Sequence, residues 1–109
     1  MLTGRVRHEL ELLNRHVIVL KKVIESGPIG IMKLSLDTGI PDHRVRYSLR
    51  VLEHHGLIVP STQGAVATKS AAAAFSDFEE ELEKIIELTS EIRKDGGKLS
   101  RMNPENKNL

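Results

Sequence analysis

Five side chains with hydrogen-bonding chemistry fall within eight consecutive positions: His43, Arg44, Arg46, Tyr47 and Arg50. Long donors of this kind, with one aromatic ring among them, suit contact with phosphate oxygens and with base edges. Such contact needs a rigid carrier, and the intervening residues supply one. Val45, Leu49 and Leu52 recur at the i, i+4, i+7 spacing of one helical face, with small Ser48 between them. That stripe is expected to be buried, each anchor contributing about 1.5–3 kcal/mol. Asp42 suits the N-cap and Gly56 the C′ position of a helix over 42–55, with the five donors on its other face.

The elements that must position this helix follow from periodicity and punctuation. A first helix is predicted over 5–25, stopped by Ser26-Gly27-Pro28. In it Val6, Leu10, Leu13, Val17, Leu20 and Ile24 keep a heptad spacing, while Leu12, Val19 and Val23 widen the apolar surface. Either the wide stripe just covers the core, or part of it meets another long helix or a second subunit. Ile29 is a candidate short strand ahead of a second helix over 30–38, in which Leu34 faces inward and Ser35 is small enough for a close helix crossing. Gly39 then permits a tight turn. Leu57-Ile58-Val59, closed by Pro60, is expected to pair with Ala65-Val66-Ala67 across Ser61-Thr62-Gln63-Gly64 as a short hairpin.

Thr68 is the expected cap of a last helix over 69–95, ended by Gly96-Gly97. Phe75, Phe78, Leu82, Ile85, Thr89 and Ile92 form its heptad seam, Ile86 and Leu88 widen the stripe, and glutamates fill the rest. At 1.5 Å per residue it spans roughly 37 Å, more than a domain of this size covers alone. The seam is therefore expected to pair with a second copy of the chain, Thr89 interrupting it and setting the register; packing on the first helix is the alternative. Residues 96–109 lack periodicity and are expected to be a disordered tail.

Leu34-Ser35, Gly39-Ile40, Val45, Leu49, Leu52-Glu53 and Gly56-Leu57-Ile58 together resemble the winged helix-turn-helix of archaeal and bacterial transcriptional regulators, over roughly residues 10 to 95. The resemblance implies a mainly α fold with a small β-hairpin, flanked by long N- and C-terminal helices, with residues 1–95 as one DNA-binding domain. It also implies that the second helix lies near the DNA backbone, which makes Lys33 a candidate phosphate contact. The hairpin would be the wing. Its tip departs from the family's usual Arg or Lys in offering Ser61, Thr62 and Gln63, with Lys69 the nearest cation. Gln63 and Lys69 are accordingly minor candidates for DNA contact.

Bulk properties agree with a small soluble protein. The chain has 109 residues, 39% hydrophobic and 28% charged, with one Tyr, two Phe and no Trp, so an aliphatic, mostly helical core is expected. With no Cys there is no disulfide, thiolate metal site or cysteine nucleophile. No apolar run is long enough for a membrane span and the N-terminus does not read as a signal peptide, so a cytoplasmic location and no membrane partner are expected. Net charge is only +1, but residues 1–56 hold nine Lys/Arg against six Asp/Glu and residues 57–109 hold seven against nine. The basic part contains the candidate reading helix.

No Gly-rich phosphate loop follows a strand, and no Ser/His/Asp set has motif support, so no enzyme and no cofactor are expected. His54 and His55 point about 100° apart on a helix and chelate poorly, so no metal site is expected either. Their better role is to favour a helix C-terminus. Two function classes remain: a homodimeric, sequence-specific regulator binding double-stranded DNA, and a winged-helix module that docks protein partners in a transcription-related complex. Any small-molecule effector is left unspecified by the sequence.

Overall fold

The computed structural model describes residues 1–102 and is mainly helical, with one small antiparallel hairpin. In order, the elements are α1 (Gly4–Ser26), α2 (Ile31–Thr38), α3 (Asp42–His54), β1 (Ile58–Ser61), β2 (Gly64–Ala67), α4 (Ser70–Ala73) and α5 (Phe78–Arg101). The chain divides into two compact units, Met1–Ala74 and a second that begins at Phe75. No helix of the described residues is long and apolar enough to cross a membrane.

In the first unit α1, α2 and α3 pack on one another around Val19, Leu20, Val23, Leu34, Val45 and Leu52, while Ile29, Ile58, Ala65 and Ala71 close the core beside the hairpin. The burial of α1 is confined to its second half. Val6, Leu10 and Ile24 of the heptad seam are exposed, so only part of that wide stripe is consumed by this core.

The turn between α2 and α3 is tied from two sides. Gly39 takes the left-handed conformation (φ 75°), Ser35 Oγ donates to the Ile40 carbonyl at 2.6 Å, and Thr38 Oγ1 donates to the Leu34 carbonyl and accepts from Ile40 N–H. The small residue at 35 is thus also a polar clamp. Asp42, expected as the N-cap of α3, is instead its first helical residue; Pro41 holds the cap position and no side chain caps there. Pro41 presets extended backbone ahead of the helix, and Asp42 keeps a favourable place near the positive end of the helix dipole. At the other end Gly56 (φ 72°) completes a Schellman stop, its N–H donating to Glu53 O and that of Leu57 to Leu52 O, both at 2.9 Å.

Register in the hairpin is Ile58↔Ala67, Val59↔Val66, Pro60↔Ala65 and Ser61↔Gly64. Pro60, expected to close the first strand, lies inside it. The reason is on the other side of β2: Ala65 exchanges both backbone hydrogen bonds with Ile29, so its polar groups point away from Pro60 and the missing N–H of proline costs no ladder bond. Ile29 therefore pairs as the sequence suggests. Ser61 Oγ donates to Gly64 O at 2.6 Å and accepts from Gln63 N–H, closing the turn.

Thr68 does not cap a helix. Its hydroxyl bonds the Gly56 and Leu57 carbonyls, and its N–H donates to Leu57 O, so it ties the hairpin base to the exit of α3. The last helix is not continuous over 69–95 either: α4 is one turn, residues 74–77 form turns, and α5 starts at Phe78. Ser76 and Asp77 favour turns and helix starts over helix interiors, and Glu79, Glu80 and Glu81 then occupy the first turn of α5, where the dipole favours them. Gly96 and Gly97 fail to stop α5, which runs on to Arg101. Each glycine costs only about 1 kcal/mol in a helix interior, and neither takes the left-handed conformation of a stop here. Of the expected tail, 96–101 is helical, and 103–109 lies outside the described residues.

Gly64 is the tightest backbone approach in the hairpin. At φ 126° it faces the Ile29 carbonyl and Gly30 N so closely that a Cβ would run into both. Gly64→Ala is expected to cost more than about 1–3 kcal/mol, because left-handed strain and a backbone collision act together. Urea unfolding of the variant measures the loss; stability equal to the parent would show that Ile29 is not held against β2.

Candidate nucleic-acid interface

The orientation of α3 is set by its buried side, Val45, Ser48 and Leu52, with Leu49 half-buried beside them. At 100° per residue this leaves His43, Tyr47 and Arg50 on the opposite side, with Arg46 on one flank. His43, Arg44, Arg46, Tyr47 and Arg50 are all exposed. They are not all on one face. Arg44 lies about 160° around the helix from Arg46, at the other edge of the buried stripe, so the outward set is His43, Arg46, Tyr47 and Arg50. No ion pair among the described residues involves Arg44, Arg46 or Arg50.

The remaining candidates are placed differently. Lys33 Nζ lies 3.1 Å from Asp37, which also receives Lys22 at 3.4 Å. The Lys33 hydrogen bond is the main influence holding the Asp37 carboxyl below its ordinary range, with Lys22 adding to it against a desolvation that works the other way. Lys33 is thus engaged within α2 rather than standing free. Gln63 sits in the exposed two-residue turn at the hairpin tip, with only its N–H tied to Ser61, whose own hydroxyl serves the turn. Lys69 is exposed at the N-cap position of α4. Between α3 and the hairpin runs an open groove of about 480 Å³, walled by Leu49, Glu53, Ile58, Pro60 and Gln63. Among the described residues no group of three His, Cys, Asp or Glu side chains could hold a metal ion.

One polar contact at the back of α3 had no legible partner in the sequence. Ser48 is fully buried, and its Oγ lies 2.8 Å from His16 Nδ1 of α1. A buried hydroxyl hydrogen needs an acceptor, so the satisfied arrangement has Ser48 donating to the unprotonated Nδ1, with the His16 proton on Nε2. A second proton on the ring would leave the hydroxyl hydrogen without that acceptor. Burial, followed by the nearby Arg15 and His55, lowers the His16 pKa in the same direction. The His16 ring also lies 5.8 Å from the ring of Tyr47, which links this contact to the outward face. The only advance signal was a small polar residue in the middle of an apolar stripe; its partner is 32 residues away.

In the second unit Phe75, Phe78 and Leu82 are half-buried, with the two phenyl rings edge-to-face at 4.7 Å. Ile85, Thr89 and Ile92 are exposed, as are Ile86 and Leu88, and α5 buries no residue fully. The Thr89 hydroxyl donates to the Ile85 and Ile86 carbonyls of its own helix, both at 2.9 Å. The continuation of α5 adds Leu99 to the seam, seven residues after Ile92, with Gly96 between them.

No protein-family model matches the chain, and no curated protein is significantly similar to it.

The partial burial of His16, with Arg15 and His55 nearby, makes stability pH-dependent with a defined sign. In the unfolded chain His16 titrates near 6.5, whereas in the fold it stays neutral to lower pH. The unfolded chain binds more protons in that window, so stability must fall as pH drops through 6.5 toward the folded value. Asp37 acts elsewhere: its depressed carboxyl contributes above its ordinary value of 3.8 and is lost only below it. Urea midpoints at pH 7.5 and 5.5 are expected to drop for the parent and to drop less for His16→Gln. Equal drops would remove His16 as the source.

Proposed function

We propose that the chain is a winged helix-turn-helix regulator that binds double-stranded DNA as a homodimer, with α3 entering the major groove. The observation that carries this is the outward face of α3: His43, Arg46, Tyr47 and Arg50 are exposed, its guanidinium groups carry no ion pair among the described residues, and the opposite side of the same helix is locked into the core. Unpaired guanidinium groups on a rigid helix suit bidentate contact with guanine edges and phosphates. The order α1, Ile29, α2, α3, β1, β2, with Ile29 bridged to β2, supports the winged-helix reading, and the residues that carry the family resemblance run from α2 through the α2–α3 turn and α3 to its exit. The wing is a weak contributor in this scheme, since its tip presents Thr62 and Gln63 and no cation.

The homodimer is assigned to the apolar seam of α5. Ile86 and Ile92 each leave 58% of their surface exposed, part of a large apolar stripe on α5. The competing function, a module that docks a protein partner, has one observation in its favour: Met32 and Leu36 project from α2 at i, i+4 with 81% and 78% exposure. Salt separates the two. Binding through several phosphates weakens steeply as salt rises, whereas an apolar protein contact does not.

Fluorescence anisotropy with a duplex pool over a salt series is expected to show this slope for the parent. Arg46→Ala and Arg50→Ala are expected to keep the fold and weaken binding, by about 1–3 kcal/mol where the side chain reads a base and with a salt slope lower by about one where it holds a phosphate. Gln63→Ala is expected to cost less than Arg46→Ala, and Lys69→Ala to change affinity more than sequence choice. Duplex binding by both arginine variants at the parent's level would remove α3 as the reader. For the assembly, Leu82→Glu places an unpaired charge in the middle of the seam, where it costs several kcal/mol, so sedimentation equilibrium is expected to show a dimer for the parent and a monomer for the variant.

A further inference from the structure

Tyr47 lies about 160° around α3 from Val45 and about 140° from Leu52, so by position alone its side chain would run straight into solvent. The ring does not stand free. Its centroid is 5.8 Å from that of His16 on α1, the two rings inclined at 44°, and 43% of the residue is exposed. That separation falls within the range of about 4.5–7 Å over which packed rings attract. His16 is held in turn from behind, by the fully buried Ser48 hydroxyl at 2.8 Å from its Nδ1. A chain of contacts thus runs from the sealed core to the outward face, leaving α3 at Ser48, crossing the imidazole of α1 and returning to α3 at Tyr47.

The charged groups that act on His16 are Arg15 from its own helix and His55 from the end of α3, while Ser48 and Tyr47 face it from α3. None of these is a carboxylate, so nothing among them favours an imidazolium, and the neutral ring that the Ser48 hydroxyl requires is the one the surroundings maintain. A neutral imidazole anchored at one nitrogen is a fixed wall. An exposed tyrosine has two side-chain torsions to order when it meets a partner, and a wall that orders them beforehand removes part of that cost.

We propose that His16 is a positioning residue for DNA binding: anchored by Ser48 in the core, its ring holds Tyr47 on the outward face in the orientation that meets the duplex. His16 acts through Tyr47 rather than by touching DNA. The role rests on the reading of α3 given above and adds a residue of α1 to it.

Tyr47 is the single tyrosine and the chain has no Trp, so intrinsic fluorescence of the full chain reports this ring alone. A protonated imidazole beside a phenol quenches its emission. The parent's emission is therefore expected to drop in a step below pH 6.5, with far-UV circular dichroism showing the fold intact over the same range. The step is expected to survive His43→Gln, which removes the other imidazole near Tyr47, one turn earlier on α3, and to vanish in His16→Asn. In that variant the amide oxygen takes the place of Nδ1 as acceptor for Ser48, and only the ring is lost. Fluorescence anisotropy with a duplex pool is expected to show His16→Asn binding about two- to tenfold more weakly than the parent, and no further loss when the same change is made on Tyr47→Ala. A parent profile without the step, or a step unchanged in His16→Asn, overturns the coupling whether or not the chain binds DNA. An equal loss of affinity with and without Tyr47 gives His16 a general structural role and overturns the positioning one. A parent that binds no duplex at low salt overturns the DNA-binding reading and the proposal together, and a fluorescence step retained in that case places the failure in the reading of α3 rather than in the contact.

Discussion

The rotational setting of α3 is the constraint on which the remaining features of the first unit depend. Val45, Ser48 and Leu52 are sunk between α1 and the hairpin side of the core, and a helix held by three residues within about 60° of arc cannot turn about its axis without exposing apolar surface or stranding a buried hydroxyl. Ser48 is the sharper part of that constraint. A purely apolar stripe tolerates a shift of some tens of degrees by repacking, whereas the 2.8 Å contact to His16 requires one alignment of α1 and α3. The outward positions of His43, Arg46, Tyr47 and Arg50 follow from it. Both ends of the helix are tied as well, by Ser35 and Thr38 at the entrance and by the Gly56 stop and Thr68 at the exit.

What could be read in the sequence was mostly periodicity. The stripe of α3, the stop after α1, the inward Leu34, the pairing of Ile29 and the hairpin all rest on local spacing or on residues with one strong preference, and the folded chain uses them that way. The errors have a common cause, which is competition between partners. Asp42 and Thr68 are good caps by type, but Pro41 already sets the entry to α3, and Thr68 finds the carbonyls of Gly56 and Leu57 within reach only because the hairpin folds back. Pro60 looked like a strand end because its tolerance depends on Ile29, a residue that is distant in sequence. Gly96 and Gly97 are weak helix formers flanked by good ones, and their modest cost is outweighed on both sides. The single face assigned to five donors was too generous, since residues two apart such as Arg44 and Arg46 cannot share a helical face.

The same division runs through the candidate site. Residues on α3 are legible because a helix converts spacing into direction. Lys33 and Gln63 are less so, since whether a lone cation is free depends on neighbours such as Asp37, and whether a turn side chain is available depends on how the turn closes. The apolar seam of α5 was legible as a pattern, and its exposure gives that pattern a physical demand for cover. The function proposed above joins these parts: a helix whose back is fixed and whose front carries guanidinium groups without an ion pair among the described residues, and a long helix whose apolar seam is largely exposed.

The central claim is that two copies of α3 read duplex DNA together, and selection of bound sequences from a random duplex pool at moderate salt tests it most directly. The account predicts enrichment of an inverted repeat whose half-site centres lie about 34 Å, one helical turn, or a multiple of it apart. Recovery of a pool with no enriched sequence, or of a single unrepeated site, would contradict it.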